Sequence, residues 1–381
     1  MTMTRRERLM STLRGEPVDR PAVSFYEIGG FDVNPADPDP FNVYSDPSWR
    51  PLLELAEDYT DLIRMREPAR TPAAENGRDE FFRNESWEEG GSKFVRTTLT
   101  VAGRTLTSLS RRDPDMHTTW EVEHLLSEPA DVEAYLQLPD EVFAWEPDVA
   151  NLLAEEEALG DRGIVMVDSD DPICQAASLF SMADFTVVAL TERRLFHRLL
   201  AKLAGPMHRW TEKVAAAFPG RLWRIYGPEY ATEPYLPPHL FGEYVVRYTA
   251  PMVEAVHRHG GFARIHCHGR IASALPQIVA MGADAIDPIE PPPLGDVQMA
   301  DVRAEYGERL VLFGNLEIRD IESMSPREFE KVVARSLADG TSGTGRGFVL
   351  MPSACPYGRT ITPRTLANYR TMVRLATGAA V

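Results

Sequence analysis

Two histidines stand two residues apart in Ile265-His266-Cys267-His268-Gly269, at the end of the apolar run that begins at Gly261. If that run is a strand, its period of two puts both imidazoles on one face and turns Cys267 to the other. A pair of neutral imidazoles with a third protein donor and an open fourth position suits catalytic zinc. Cys355, in the last run of the same kind (GFVLMPSACP), is the candidate third donor, because a closed sheet carries the eighth strand across the same mouth as the fifth. Should the fifth strand end one residue early, Cys267 replaces His268 as ligand. The plain alternative is that the histidines are hydrogen-bonded groups at a loop and that Cys355 is a small buried apolar residue.

Other chemistry-bearing side chains fall at the ends of similar runs. Glu290, in IEPPPLGD, either donates a carboxylate to the metal, orients a ligand's second nitrogen, or faces water. Asp168 and Asp170 follow VMV and serve as acid or base, or cap the next helix. Tyr26 and Glu229 are candidates for proton handling, and Glu27, Asn315 and Tyr226 for orienting a substrate. His197, His208, His257 and His259 lie in helical patterns and read as solvated, as do Arg5, Arg6 and Arg8. There is no GxGxxG after a strand, no P-loop and no G-x-S-x-G elbow.

Eight short apolar runs, starting at Pro21, Asp61, Gly163, Arg221, Gly261, Ala283, Arg309 and Gly347, carry these residues. Helical patterns such as SWRPLLELAEDY and SPREFEKVVARSLADG separate them. Parallel neighbours need long connections, so this alternation predicts a parallel sheet covered by helices, and eight strands predict a (β/α)8 barrel with its reactive groups at the carboxyl ends of the strands. Residues 79–120 break the rhythm. Two alternating Thr/Val/Leu stretches flank Ala102-Gly103 there, which predicts a β-hairpin inserted after the second strand of a single domain spanning 1–381.

The 381 residues are 44% hydrophobic and 25% charged, the proportions of an ordinary globular protein. Lys and Arg number 40 against 57 Asp and Glu, a formal charge of -17 that repels nucleic acid and anionic membrane. Three scattered cysteines, with no secretory signal and no long apolar stretch, predict a cytoplasmic protein without a membrane span.

Taken together, TRRERLMSTLRGEPVDRP at the start, the block from YVVRYTAPMVEAVHRHG through IHCHG to IEPPPLGD, LVLFGNLE, and GFVLMPSACPYGRTITPRTLANYRTMV at the end resemble the uroporphyrinogen decarboxylase superfamily. Within it they look closer to the zinc-dependent methyltransferases that work with corrinoid proteins. That resemblance implies a (β/α)8 barrel and zinc held by His266, His268 and Cys355, with His268 standing where that branch has its first cysteine. It implies transfer of a methyl group between a small O- or S-methyl compound and a corrinoid or thiol, with the corrinoid supplied by a partner protein, since no D-x-H-x-x-G motif is present. The decarboxylase itself is similar but carries an arginine-rich segment where this chain reads Tyr26-Glu27-Ile28-Gly29-Gly30. A metal-free decarboxylase, with Arg64 and Arg359 as its basic groups, is the alternative reading, and a non-catalytic barrel that binds metal or ligand is the third.

Overall fold

A computed structural model describes residues 2–72 and 76–381. Eight parallel strands form one curled sheet: β1 (Ala22–Val23), β2 (Leu62–Arg66), β3 (Gly163–Asp170), β4 (Leu222–Tyr226), β5 (Phe262–His266), β6 (Ala285–Asp287), β7 (Val311–Leu316) and β8 (Gly347–Pro352). Their order is β1-β8-β7-β6-β5-β4-β3-β2. At the seam the Asp61 N–H donates to the Val23 carbonyl at 2.7 Å. The arrangement is TIM-barrel-like, and its strands coincide with the eight apolar runs.

Alternation along the strands sorts their side chains into two apolar layers. Ile63, Met65, Ile164, Met166, Leu222, Val311, Phe313, Val349 and Met351 pack together inside the curl. Val167, Trp223, Ile225, Ile265, Leu312 and Leu350 face the surrounding helices. Strands buried on both faces read as continuous apolar runs, which is why they were legible.

The helix Arg5–Arg14 opens with a Thr4/Glu7 capping box and ends at Gly15, whose φ of 72° suits glycine. It lends Leu9 and Leu13 to the inner layer. Its arginines are not a solvated face. Arg8 is buried and reaches Asp19 and Asp61, each at 2.6 Å, and Arg20 meets Asp61 at 2.8 Å. Arg5 donates to the Glu57 carbonyl, and Arg6 pairs with Glu156. The guanidiniums tie the amino end of the barrel together.

Between β2 and β3 the chain forms more than one hairpin. Phe82–Glu89, Ser92–Val101, Arg104–Arg112 and Thr119–Glu123 form a four-stranded antiparallel sheet, whose central pair turns at Ala102-Gly103. A second pair, Ala69–Pro72 with Trp145–Asp148, brings the chain back to the barrel. The outer strands FRNESWEE and TWEVE are mostly exposed, so they lack the apolar alternation that marks a half-buried strand. Among the described residues no helix is long and apolar enough to cross a membrane.

Candidate functional site

The fifth strand alternates as its sequence requires. Ala263, Ile265 and Cys267 belong to the outer apolar layer, and Cys267 is fully buried there. The ladder extends beyond His266 through the Cys267 N–H, which donates to the Asp287 carbonyl at 2.8 Å. Arg264, His266 and His268 share the opposite parity. The His266 and His268 rings meet edge to face, with centroids 4.6 Å apart.

Each imidazole is oriented by a carboxylate from the end of β6. His266 is paired in register with Asp287, and its Nδ1 lies 2.7 Å from Asp287 Oδ2. His268 Nδ1 lies 3.1 Å from Glu290 Oε1, while Glu290 Oε2 accepts from the Gly269 N–H at 2.6 Å. Burial, helped by the nearby Arg224, holds the His266 imidazolium down at about 3, so the ring is neutral at physiological pH. Burial would raise Asp287, but Arg264 and His266 outweigh it and bring the carboxyl to about 2. Burial would lower His268, yet its bond to Glu290 raises it.

Tyr26 closes the floor. Its hydroxyl lies 3.5 Å from His266 Nε2 and accepts from the Arg224 guanidinium at 2.6 Å. Arg224 in turn pairs with Asp168 at 2.8 Å, and Arg264 with Asp287 at 2.9 Å. Asp287, His266, Tyr26, Arg224 and Asp168 thus form a continuous polar chain across the barrel. Arg224 and Arg264 are the members that sequence reasoning missed. The signal was present: Arg224 shares the parity of Tyr226, and Arg264 that of His266. The arginines expected to be basic pocket groups lie elsewhere. Arg64 is held by Glu57 and Glu155, and Arg359 by the Pro114 carbonyl.

Cys355 follows the end of β8 and is fully buried, with its thiol donating to Glu27 Oε2 at 2.5 Å. Burial and the Glu27 charge push that thiol up, and burial likewise raises Glu27. The structure therefore joins His266 to His268 and Cys355 to Glu27. Among the described residues no three His, Cys, Asp or Glu side chains are gathered as a ready metal-binding group. Glu229, in the turn Pro228–Ala231 after β4, is raised by burial, and its Oε2 is buried without a hydrogen-bond partner. Asn315 Oδ1 accepts from Ser336 of the helix Pro326–Gly340 at 2.9 Å. Glu317, beyond β7, is buried, and burial with the charge of Glu290 lifts it to about 7.

Beside this mouth, between the carboxyl ends of β3 and β4 and the segment joining β2 to β3, lies a cavity of about 360 Å³. Asp168, Asp170 and Tyr226 line its barrel side, and Phe143, Trp145 and Trp210 its outer wall.

A model of the family described as "Uroporphyrinogen decarboxylase (URO-D)" matches residues 117–377, more than half of the chain. The chain belongs to the URO-D family. Among solved structures, a methyltransferase from Methanosarcina mazei aligns over 99% of this chain and 100% of its own, with a TM-score of 0.58 at 14% identity. At that identity the likeness speaks for the fold. A muconate lactonizing enzyme from Pseudomonas putida aligns far more loosely, over 78% of this chain and 76% of its own, with a TM-score of 0.26 at 10% identity, and carries no argument. No curated protein sequence matches the chain. URO-D membership and the TIM-barrel-like fold agree with the resemblance read from the sequence.

Proposed function

We propose that this URO-D family member is a zinc-dependent methyltransferase or demethylase acting on a small O- or S-methyl compound, with a corrinoid brought by a separate protein or a thiol as the other methyl carrier. The observation that carries the reading is the pair of carboxylate-oriented imidazoles, His266 with Asp287 and His268 with Glu290. Metal-binding histidines are characteristically held in this way through their second nitrogen, and His266 is kept neutral, as a ligand must be.

In donor chemistry the residues fit zinc: two imidazoles with Nδ1 already engaged, and the Cys355 thiol beyond the end of β8. His266, His268 and Cys355 would hold the metal, with Glu290 as orienting group. Bound zinc would supply Lewis acidity, stabilising charge on the heteroatom that loses or gains the methyl group. Glu27, within 2.5 Å of the Cys355 sulfur, is placed to take the thiol proton at Oε2. Tyr26 keeps its hydroxyl over His266 because Arg224 donates to the phenol oxygen. Asp168 keeps Arg224 in place.

The decarboxylase reading draws on Arg224 and Arg264, two guanidiniums inside the barrel. Each already faces a carboxylate, Asp168 or Asp287, and Glu27, Glu229, Glu290 and Glu317 surround His268 with acid. That balance disfavours a poly-acid tetrapyrrole. Incubation with methyl donors plus a free corrinoid or a thiol, run beside incubation with uroporphyrinogen, separates the readings. Methyl transfer is the expected result. Carbon dioxide release from the porphyrinogen would overturn it, and neither activity alongside retained metal would leave a binding barrel.

A further inference from the structure

The cavity beside the mouth is lined by aromatic faces, by acids and by the guanidiniums of Arg70 and Arg78. Trp145 comes from the strand Trp145–Asp148 and Trp210 from the helix Arg193–Ala217, while Tyr226 ends β4. One aromatic face already bears a cation: the Arg70 guanidinium lies 5.2 Å from the Trp210 ring centroid. Two of the acids lining the cavity are neutralised, Asp168 by Arg224 at 2.8 Å and Glu67 by Arg70 at 3.5 Å.

Asp170 differs. Among the described residues it has no ion-pair partner, and Gln175 and Tyr226 share its end of the cavity. Burial lifts its carboxyl to about 6, against the opposing pull of a hydrogen bond from Gln175 and the charge of Arg70.

We propose that this cavity binds the organic part of the substrate and selects a small aromatic ring carrying an ammonium group, the ring packing against Trp145 and the cation meeting Asp170. The volume of about 360 Å³ is at the small end of ligand pockets, and an ammonium group is the complement the unpaired carboxylate lacks. Naming the occupant a substrate rests on the methyl-transfer reading. The selectivity for an aromatic cation does not.

The test is calorimetric titration of the full chain with 2-phenylethylamine as its ammonium, beside 2-phenylethanol and phenylacetate. The ammonium is expected to bind about tenfold or more tightly than the neutral and anionic analogues. Asp170→Asn should remove that preference while leaving weak ring binding, and Trp145→Leu should weaken all three ligands. Thermal melts confirm that each variant folds. Equal or stronger binding of phenylacetate, an unchanged preference in Asp170→Asn, or no binding of the ammonium would overturn the inference. Zinc content measured on the same samples keeps the two claims apart. Zinc without ammonium binding sinks this inference alone, and ammonium binding without zinc sinks the metal reading alone.

Discussion

His266 and Asp287 are register partners on neighbouring parallel strands, and their side chains meet at 2.7 Å with both residues buried. Asp287 also faces Arg264 at 2.9 Å. One carboxylate therefore orients an imidazole and neutralises a buried guanidinium.

Removing it should expose both roles. Asp287→Ala leaves Arg264 uncompensated in the barrel, and breaking a buried pair costs roughly 3–5 kcal/mol. Denaturant unfolding should show that loss. The double variant Arg264→Met/Asp287→Ala should recover most of the stability without restoring metal affinity, which falls by about 10–100-fold when an orienting carboxylate is lost. Full stability in the single variant would show that the pair does not matter.

Asp61 closes the seam between β1 and β2. It is fully buried and accepts from Arg8, Arg20 and the Val23 N–H. Asp61→Ala strands two arginines at once and should cost roughly 3–5 kcal/mol. Asn retains part of the hydrogen bonding and should cost less. Comparable melting of the three proteins would refute the assignment.

Glu317 makes stability depend on pH. Its carboxyl is lifted from 4.5 to about 7, so the folded state holds the proton more tightly than the unfolded chain. Stability attributable to this group is fully present below pH 4.5, is lost as pH rises toward 7, and is level above. Glu317→Gln should therefore gain on the wild type across that window, on the order of 3 kcal/mol. Parallel stability curves would show that the shift is absent.

The barrel strands were legible because burial on both faces leaves continuous apolar runs bounded by polar or Gly/Pro residues, as at GIVMVDSDDP and GFVLMPSACP. The segment joining β2 to β3 was half legible: its central hairpin alternates, but its outer strands are exposed and charged. The pairing of His266 with His268 followed from their spacing. The roles of Arg224 and Arg264 did not, because an arginine in an apolar run reads as an edge or a surface group until its carboxylate, distant in sequence, is known. The bond from Ser336 to Asn315 was illegible for the same reason, since it joins a strand end to a helix that only the fold brings beside it.

The most direct measurement is zinc content and zinc-edge X-ray absorption on protein purified without chelator, together with His266→Ala, Cys355→Ala and Cys267→Ala. The account predicts one zinc per chain with two nitrogen donors and one sulfur donor, loss of metal in the first two variants, and full retention in Cys267→Ala. Absence of stoichiometric metal, a sphere without sulfur, or full retention in both His266→Ala and Cys355→Ala would contradict it.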